Sequence, residues 1–245
     1  MKVFVLSLKQ STDRRKRVEE TLGLTDIEFE FFDALTPQEL SHEQRQRLNP
    51  EKTRNLKGYE LTEGEIACFF SHMAIWQWSA QHGQDVLVLE DNVDIHPKFT
   101  FLVADLKQVY SQCTKPRTII KLSASKQGVR FKKTHELNDS FTLGNYVKPT
   151  TGAMGYLMSS ETAQSLVEHA NEIIVPVDDY MEKVWIHRTN IVSVYPNVVS
   201  RAVIPSTIGH VRKSKTSLTL LDKINIETFR LYEQIRLKAY LLANR

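Results

Sequence analysis

The amino-acid sequence predicts an α/β fold in which a Rossmann-like central sheet is flanked by helices. Short apolar runs typical of buried strands alternate with longer segments whose apolar residues recur at helical spacing, and this alternation favours parallel strand pairs. The chain has 245 residues, of which 41% are hydrophobic and 25% are charged, close to the average for globular proteins. It is therefore long enough and apolar enough for one domain with a full core.

Two strands and a helix are predicted near the start of the chain. The apolar residues 3–6 form a first strand, and the polar residues 11–13 offer caps for a short basic helix over residues 14–22. Residues 29–32 form a second strand. Residues 36–59 are polar and poorly periodic, which predicts a loop or a short helical excursion.

The strongest local signal is a helix that begins after Thr62. Thr62 and Glu65 have the spacing of a capping box, apolar residues follow at helical period, and Gly83 ends the helix. A buried strand over residues 86–89 follows almost at once.

The rest of the chain continues the alternation of helices and strands. Residues 123–145 predict a loop or a hairpin, and the strand-like residues 151–158 contain two glycines. The other predicted segments are a helix at 99–109, a strand at 118–122, a helix that Ser160 caps and that ends near residue 170, a helix at 176–186, a strand at 191–195 and a basic amphipathic helix at 218–242.

The acidic turn after the strand at 86–89 has two interpretations. In sheets with parallel strands, ligands lie outside the carboxyl ends of the strands, and Glu90 and Asp91 stand at such an end. Mg²⁺ and Mn²⁺ prefer oxygen ligands and commonly bind through one or two carboxylates, so the turn could be a metal site. The alternative is an ordinary solvated turn, which Asn92 favours because a neutral amide is a poorer ligand than a carboxylate.

Nothing in the sequence predicts a membrane span or a disulfide. No apolar stretch approaches the roughly 18 residues that a spanning helix needs, and the apolar run at the start is short for a signal peptide. Cys68 and Cys113 have no His or Cys partner at metal-binding spacing. We expect a cytoplasmic protein whose cysteines are reduced and structural.

The charge of the chain is uneven. Residues 201–245 contain nine Lys/Arg and three Asp/Glu, whereas the rest contains 23 basic and 26 acidic residues. A basic end predicts an anionic partner, such as nucleic acid, a sugar nucleotide or an anionic membrane surface. Nucleic acid is disfavoured because no base-reading motif is present. The helix at 218–242 has three open interpretations, which are packing on its own domain, peripheral membrane contact and a homodimer interface.

Five segments of the sequence carry a family resemblance. In chain order they are VFVLSLKQSTDRR, LTEGEIACFFSHMAIW, VLVLEDN, TTGAMGYLMS and PVDDYM, within about residues 3–210. Together they resemble glycosyltransferase family 25, in which a Leu-Thr-x-Gly-Glu-Ile-Gly-Cys run leads into Ser-His and a Trp. Two positions depart from the family pattern. Ala67 stands where Gly is usual, and Asn92 replaces the second aspartate of a Leu-Glu-Asp-Asp element.

The resemblance implies a GT-A-type fold with a mixed central sheet over residues 1–216 and a helical extension over residues 217–245. It implies inverting transfer of galactose or glucose from a UDP-sugar to an oligosaccharide or lipid-linked glycan, with a β linkage. The family includes bacterial lipooligosaccharide galactosyltransferases and animal collagen galactosyltransferases, and this short chain is similar to the bacterial branch. The implied cofactor is Mn²⁺ or Mg²⁺. The implied location is the cytoplasm or the cytoplasmic face of the bacterial inner membrane.

Matching positions assign the metal ligands and the base. Asp91, Asn92 and His210 are the implied metal ligands. In a single displacement a base takes the proton of the acceptor hydroxyl, and Asp178 matches the family aspartate. Asp179 is the alternative base, although its position also suits a helix cap, and Glu90 is a third candidate. Because of Asn92, a catalytically impaired nucleotide-sugar-binding protein is the alternative function.

The implied donor-binding residues come from both halves of the chain. Several also have a structural interpretation: Arg14 on a helix surface, Gly64 in helix-start geometry, His72 as a packing residue, and the cations after residue 209 as a solvated loop. The full set is Leu8, Lys9, Asp13, Arg14, Asp33, Ala34, Gly64, Ser71, His72, Glu90, Thr151, Gly152, Lys213 and Lys215.

Overall fold

A computed structural model describes residues 1–112, 116–124, 129–204 and 218–244. Most of the described strands belong to one mixed sheet of eight strands. The strands are β1 (Lys2–Leu8), β2 (Glu30–Ala34), β3 (Val86–Glu90), β4 (Val93–Ile95), β5 (Thr118–Lys121), β6 (Phe131–Glu136), β7 (Thr142–Tyr146), β8 (Gly155–Met158), β9 (Asn190–Tyr195) and β10 (Val199–Arg201).

The order of the large sheet is β2-β1-β3-β8-β5-β9-β7-β6. β1 is parallel to both of its neighbours, and β5 is parallel to β9. β8 runs antiparallel between β3 and β5, and β7 runs antiparallel to β9 and β6. The carboxyl ends of β2, β1, β3, β5 and β9 therefore meet at one side of the sheet, which we call the carboxyl edge. β4 and β10 form a separate antiparallel pair.

Helices cover both faces of the sheet, which confirms the predicted α/β class. They are α1 (Thr12–Leu22), α2 (His42–Gln46), α3 (Pro50–Lys57), α4 (Glu63–His82), α5 (Phe99–Gln112), α6 (Ser160–His169), α7 (Val177–Met181), α8 (Val184–His187) and α9 (Leu220–Ala243), with a 3-10 turn at Pro37–Glu39.

The strands alternate between two apolar layers. In β1, Phe4 and Leu6 join the layer that α4 and α6 cover, whereas Val3 and Val5 join the layer that α1 and α5 cover. This alternation follows from the two-residue period of a strand.

The signals that predict α4 are confirmed. The Thr62 hydroxyl accepts a hydrogen bond from the Glu65 backbone at 3.1 Å, and the Glu65 carboxylate accepts one from the Thr62 backbone at 2.9 Å. Gly83 ends the helix in a left-handed conformation with φ 61°. Trp76 is fully buried, and the helix is apolar around most of its circumference. α4 is therefore a core helix that holds its polar side chains rigidly against the sheet.

Two segments that the sequence leaves open are resolved by the structure. Residues 36–59 adopt the helical alternative, with a 3-10 turn followed by α2 and α3. Residues 123–145 include the hairpin alternative, because β6 and β7 pair antiparallel.

Other predicted boundaries were wrong. The strand predicted at 151–158 is confined to β8. The cap of α6 is Ser159, whose hydroxyl accepts a hydrogen bond from the Thr162 backbone at 3.2 Å, and not Ser160. The single helix predicted at 176–186 is divided into α7 and α8 by Glu182 and Lys183.

One face of α9 packs on the body of the protein. Ile226 is buried against Gly58, where an added Cβ would lie 2.6 Å from the Ile226 Cδ1 atom. The Tyr240 hydroxyl donates to the Thr189 carbonyl at 3.1 Å. None of the helices in the described ranges is long and apolar enough to cross a membrane. The predicted boundary between residues 216 and 217 lies within a segment, 205–217, that is outside the described residues.

Candidate active site

The carboxyl edge brings together polar residues from three neighbouring parallel strands. Leu8 pairs with Ala34 at the ends of β1 and β2, and Leu6 pairs with Glu90 at the end of β3. The predicted donor-binding residues Leu8, Asp33, Ala34 and Glu90 therefore lie along one edge, as expected for ligand sites of such sheets.

Asp91 is held by two side chains from the first strand and helix. Its carboxylate accepts a hydrogen bond from the Ser7 hydroxyl at 2.7 Å through one oxygen. The other oxygen accepts one from Arg14 Nη1 at 2.8 Å. Asp91 is 7% exposed, so this charge pair is shielded from water. The predicted metal ligand Asp91 thus has both oxygens engaged within the protein.

Two further arginines of α1 bind side chains and carbonyl groups at the same edge. Arg15 pairs with Asp33 at 2.5 Å and donates to the Ser7 carbonyl at 3.0 Å. Arg17 pairs with Asp94 at 2.8 Å and donates to the Val93 carbonyl at 2.6 Å. The basic helix predicted after β1 therefore binds the acidic turn through ion pairs and hydrogen bonds, and Asp94 is the ion-pair partner of Arg17.

Glu90 faces α4 through a buried chain of polar groups. His72 Nε2 lies 3.5 Å from Glu90 Oε1, and His72 Nδ1 lies 2.9 Å from the Tyr156 hydroxyl. The same hydroxyl accepts a hydrogen bond from Trp76 Nε1 at 3.0 Å. His72, Trp76 and Tyr156 are all fully buried. The helix α4 and strand β8 together set the position of the Glu90 carboxylate.

Asn92 supports Glu90 as a hydrogen-bond donor. Burial alone would raise the pKa of Glu90, but His72 and the Asn92 side chain, with the charge of Arg201, hold that pKa below its ordinary value. An aspartate at position 92 would instead repel Glu90. Asn92 Oδ1 is buried and has no hydrogen-bond partner within the part of the chain that the structure describes.

Asp178 is a partly buried carboxyl group of this region. Its Oδ1 accepts a hydrogen bond from the Asp179 backbone at 3.0 Å. Burial and the charges of Asp179 and Glu90 raise the pKa of Asp178, and Lys121 only partly opposes them. Perturbed carboxyl groups of this kind are common where proton transfer occurs.

Asp179 has a different environment from Asp178. Its carboxylate pairs with Lys57 at 3.4 Å and with Lys183 at 3.2 Å. The same two lysines pair with Glu233 of α9, at 2.7 Å and 2.5 Å respectively. These four side chains form a charge cluster that ties α9 to α3 and α7. Asp179 is thus part of the attachment of α9.

Lys121 and Glu182 are site residues that the sequence analysis missed. Lys121 Nζ pairs with Glu182 Oε1 at 2.7 Å and also donates to the Thr150 carbonyl. Lys121 is 2% exposed. A lysine at the end of an otherwise apolar strand, in the run TIIKL, was the available signal.

A cavity of about 550 Å³ opens beside this pair. It lies between the sheet and the C-terminal half of α9. Hydroxyl, amide and basic side chains contribute to its lining, which includes Lys121, Lys132, Thr134, His135, Asn145, Lys148, Thr150, Glu182, Ser193, Leu237, Tyr240 and Asn244.

The remaining predicted site residues are placed as follows. Lys9 and Asp13 are exposed near the start of α1, and Gly64 lies in the first turn of α4. Ser71 donates to the Ala67 carbonyl at 2.7 Å and accepts from the Leu35 backbone at 2.8 Å, which is a structural role. Thr151 and Gly152 precede β8, with Gly152 at φ 124°. His210, Lys213 and Lys215 lie outside the described residues.

Comparisons with known proteins match most of this region. The family described as "Glycosyltransferase family 25 (LPS biosynthesis protein)" matches residues 1–181. The chain is 30% identical to "Lipooligosaccharide biosynthesis protein lic2B" of Haemophilus influenzae over 179 residues, which cover 68% of this chain and 62% of that protein. It is 29% identical to "Procollagen galactosyltransferase 2" of Homo sapiens, over 73% of this chain and 29% of that protein.

The chain therefore spans less than two thirds of the length of these relatives. Among solved structures, the galactosyltransferase LgtC in complex with donor and acceptor sugar analogues is 12% identical, with a TM-score of 0.35 over 96% of this chain and 95% of that chain. The family match covers residues 1–181 and includes the acidic turn, α4 and Asp178. The chain belongs to glycosyltransferase family 25.

Proposed function

We propose that the protein is an inverting glycosyltransferase that moves galactose or glucose from a UDP-sugar to the glycan of a lipooligosaccharide, with formation of a β linkage. The observation that carries this proposal is the partly buried Asp178, on which the charges of Glu90, Lys121 and Asp179 act, in a chain of family 25. The bacterial relative lic2B supports the acceptor class, since its name describes lipooligosaccharide biosynthesis.

Asp178 acts as the general base. The raised pKa of Asp178 makes its ionised carboxylate a stronger base than an ordinary aspartate. The acceptor hydroxyl gives its proton to Asp178, and its oxygen attacks the anomeric carbon as the bond to UDP breaks. Because the base must be ionised, the rate rises with pH as Asp178 loses its proton. That rise occurs at higher pH than an unperturbed aspartate would give.

A divalent ion, Mn²⁺ or Mg²⁺, would neutralise charge on the leaving diphosphate when bound. The implied ligands fit this ion only in part. Asn92 Oδ1 offers a buried, unpartnered oxygen within the described ranges, but Asp91 is occupied by Ser7 and Arg14. The implied ligand His210 is outside the described residues. We therefore assign the proton transfer to Asp178 and derive no step through this ion.

The cavity beside Lys121 and Glu182 is the proposed acceptor site. Its lining includes Lys121, whose charge acts on Asp178, and Glu182, whose pKa is raised by burial and by the charge of Asp178, so an acceptor bound there lies beside the two residues that interact with the proposed base. Lys132 and Lys148 give its outer part a positive character. A glycan that carries phosphate or carboxylate groups complements this lining.

The free face of α9 is the proposed membrane contact. Its exposed apolar side chains include Leu231 at 58% and Ile235 at 56% exposure, and Arg230 and Lys238 add positive charge. Flotation of the whole protein with vesicles that contain anionic lipid tests this contact. Replacement of Leu231 and Ile235 by Ser should abolish flotation. Unchanged flotation would refute the membrane contact, and a change from dimer to monomer would favour the homodimer interpretation.

A donor screen tests the proposed reaction. Purified protein with Mn²⁺ should transfer a hexose from UDP-galactose or UDP-glucose to a lipooligosaccharide acceptor, and NMR of the product should show a β linkage. Calorimetric titration of the UDP-sugars accompanies the screen. Binding of a UDP-sugar without turnover on any acceptor would instead identify a catalytically impaired binding protein.

A further inference from the structure

Three side chains with different metal-binding groups converge behind the carboxyl edge. Cys68 and His72 stand four residues apart on α4, so they lie on the same face of that helix. Glu90 approaches them from the end of β3. One ligand atom from each of the three residues lies within 4.8 Å of the other two.

The His72 nitrogen nearer Glu90 makes no hydrogen bond of normal geometry, which points to a ligand between the two side chains. His72 is fully buried, and its Nε2 has no hydrogen-bond partner among the residues that the structure describes. Buried polar atoms of native proteins almost always have a partner, so this one requires an explanation. His72 Nδ1 is already held by the Tyr156 hydroxyl, so the ring atom available to a ligand is Nε2, which lies 3.5 Å from Glu90 Oε1.

The distance between His72 and Glu90 suits a shared ion better than a direct hydrogen bond. Nε2 and Oε1 are 3.5 Å apart, beyond the about 2.7–3.2 Å of a normal N–H···O bond. Ligand atoms at about 2.0–2.3 Å from a tetrahedral Zn²⁺ are separated from one another by about 3.3–3.7 Å. The 3.5 Å between His72 Nε2 and Glu90 Oε1 falls in the range expected for two ligands of one Zn²⁺ ion.

The supporting residues resemble those around metal sites in proteins. Ligating histidines usually hold their second ring nitrogen in a hydrogen bond, and ligating carboxylates are usually hydrogen-bonded as well. Tyr156 supplies the first, because its oxygen can accept from both Trp76 Nε1 and His72 Nδ1. The side chain of Asn92 hydrogen-bonds the carboxylate of Glu90.

The chemistry of the three groups selects the ion. A thiolate and an imidazole favour zinc-class ions, whereas Mg²⁺ and Mn²⁺ favour carboxylate and water. Three protein ligands leave the fourth tetrahedral position open to water or a substrate oxygen. This ligand set is distinct from Asp91 and His210.

We infer that Cys68, His72 and Glu90 form a three-ligand site for Zn²⁺ with one open position. Binding replaces the proton of the Cys68 thiol by the metal ion, and the proton is released to solvent. Metal binding is measured without a sugar donor, so the inference does not depend on the proposed reaction.

Cobalt substitution tests the site. The whole protein is treated with a chelator, freed of it by dialysis and titrated with Co²⁺, a spectroscopic substitute for Zn²⁺. We expect about one ion per chain, the visible bands of tetrahedral Co²⁺ and a thiolate-to-cobalt charge-transfer band, all lost when Zn²⁺ is added. Absence of the charge-transfer band in the unaltered protein would overturn the inference.

Cysteine variants provide a matched pair. Cys68→Ser should abolish the charge-transfer band and weaken Zn²⁺ binding by more than about tenfold. Cys113→Ser, at the only other cysteine of the sequence, should keep both. A charge-transfer band that is kept in Cys68→Ser and lost in Cys113→Ser would overturn the inference. Circular dichroism confirms that each variant is folded, and His72→Gln should lose Zn²⁺ affinity as Cys68→Ser does. Zn²⁺ binding without hexose transfer would refute the proposed reaction alone.

Discussion

Replacement of Tyr156 by Phe removes one hydroxyl group from behind Glu90 and leaves the ring in place. That hydroxyl lies 2.9 Å from His72 Nδ1 and accepts from Trp76 Nε1 at 3.0 Å. All three side chains are fully buried, so water cannot replace the lost partner. A buried polar group left without a partner costs about 1–3 kcal/mol. Two such groups should lower the free energy of unfolding by about 2–6 kcal/mol.

Urea unfolding measures this loss directly. Tyr156→Phe should shift the unfolding midpoint to lower urea concentration without a change in slope, because the surface exposed on unfolding stays the same. Tyr232→Phe is the matched control, since Tyr232 is 48% exposed on α9, and it should unfold like the unaltered protein. Equal stability of the Tyr156→Phe variant and the control would refute the hydrogen-bonded chain behind Glu90.

Three further substitutions test other parts of the structure. Asp91→Ala removes the carboxylate that binds Ser7 and Arg14 and should lower the free energy of unfolding by about 1.5–3 kcal/mol, with loss of transfer activity; unchanged urea unfolding would contradict the pair. Burial lowers the pKa of His187 to about 3, so the unfolded chain alone takes up a proton as pH falls below about 6.5. The free energy of unfolding should therefore drop by up to about 1.4 kcal/mol per pH unit as the pH falls from about 6.5 to about 3. His187→Gln should make the free energy of unfolding less dependent on pH in this range. Gly58→Ala places a side chain at φ 71° against Ile226 and should lower the free energy of unfolding by about 1–2 kcal/mol. Proteolysis should then release α9 faster, and an unchanged rate of release would refute this prediction.

Local signals in the sequence were sufficient to predict α4 and the acidic turn. The capping box at Thr62 and Glu65 and the glycine at position 83 act within a few residues, so the sequence displays both ends of the helix. The strand at 86–90 and its acidic end were likewise local features. The order of the five segments that resemble family 25 then identified the family, and the match over residues 1–181 confirmed it.

Contacts between distant residues explain what the sequence did not reveal. Asp91 looks like a free metal ligand in the sequence, but its partner Arg14 lies 77 residues away. Lys121 and Glu182 meet across 61 residues, and only the tertiary fold brings them together. β8 runs antiparallel between β3 and β5, which no short pattern of side chains reports. Such partners depend on the tertiary fold and not on local spacing.

The choice between two adjacent aspartates tests the central claim most directly. Initial rates of hexose transfer from the accepted UDP-sugar are measured for Asp178→Asn and Asp179→Asn, with folding checked by circular dichroism. Asp178→Asn should lower kcat by about 10²–10⁴-fold with little change in donor KM, because it removes only the base. Asp179→Asn should reduce the stability of the α9 attachment and retain most of kcat. Full activity in Asp178→Asn together with loss of activity in Asp179→Asn would contradict the account.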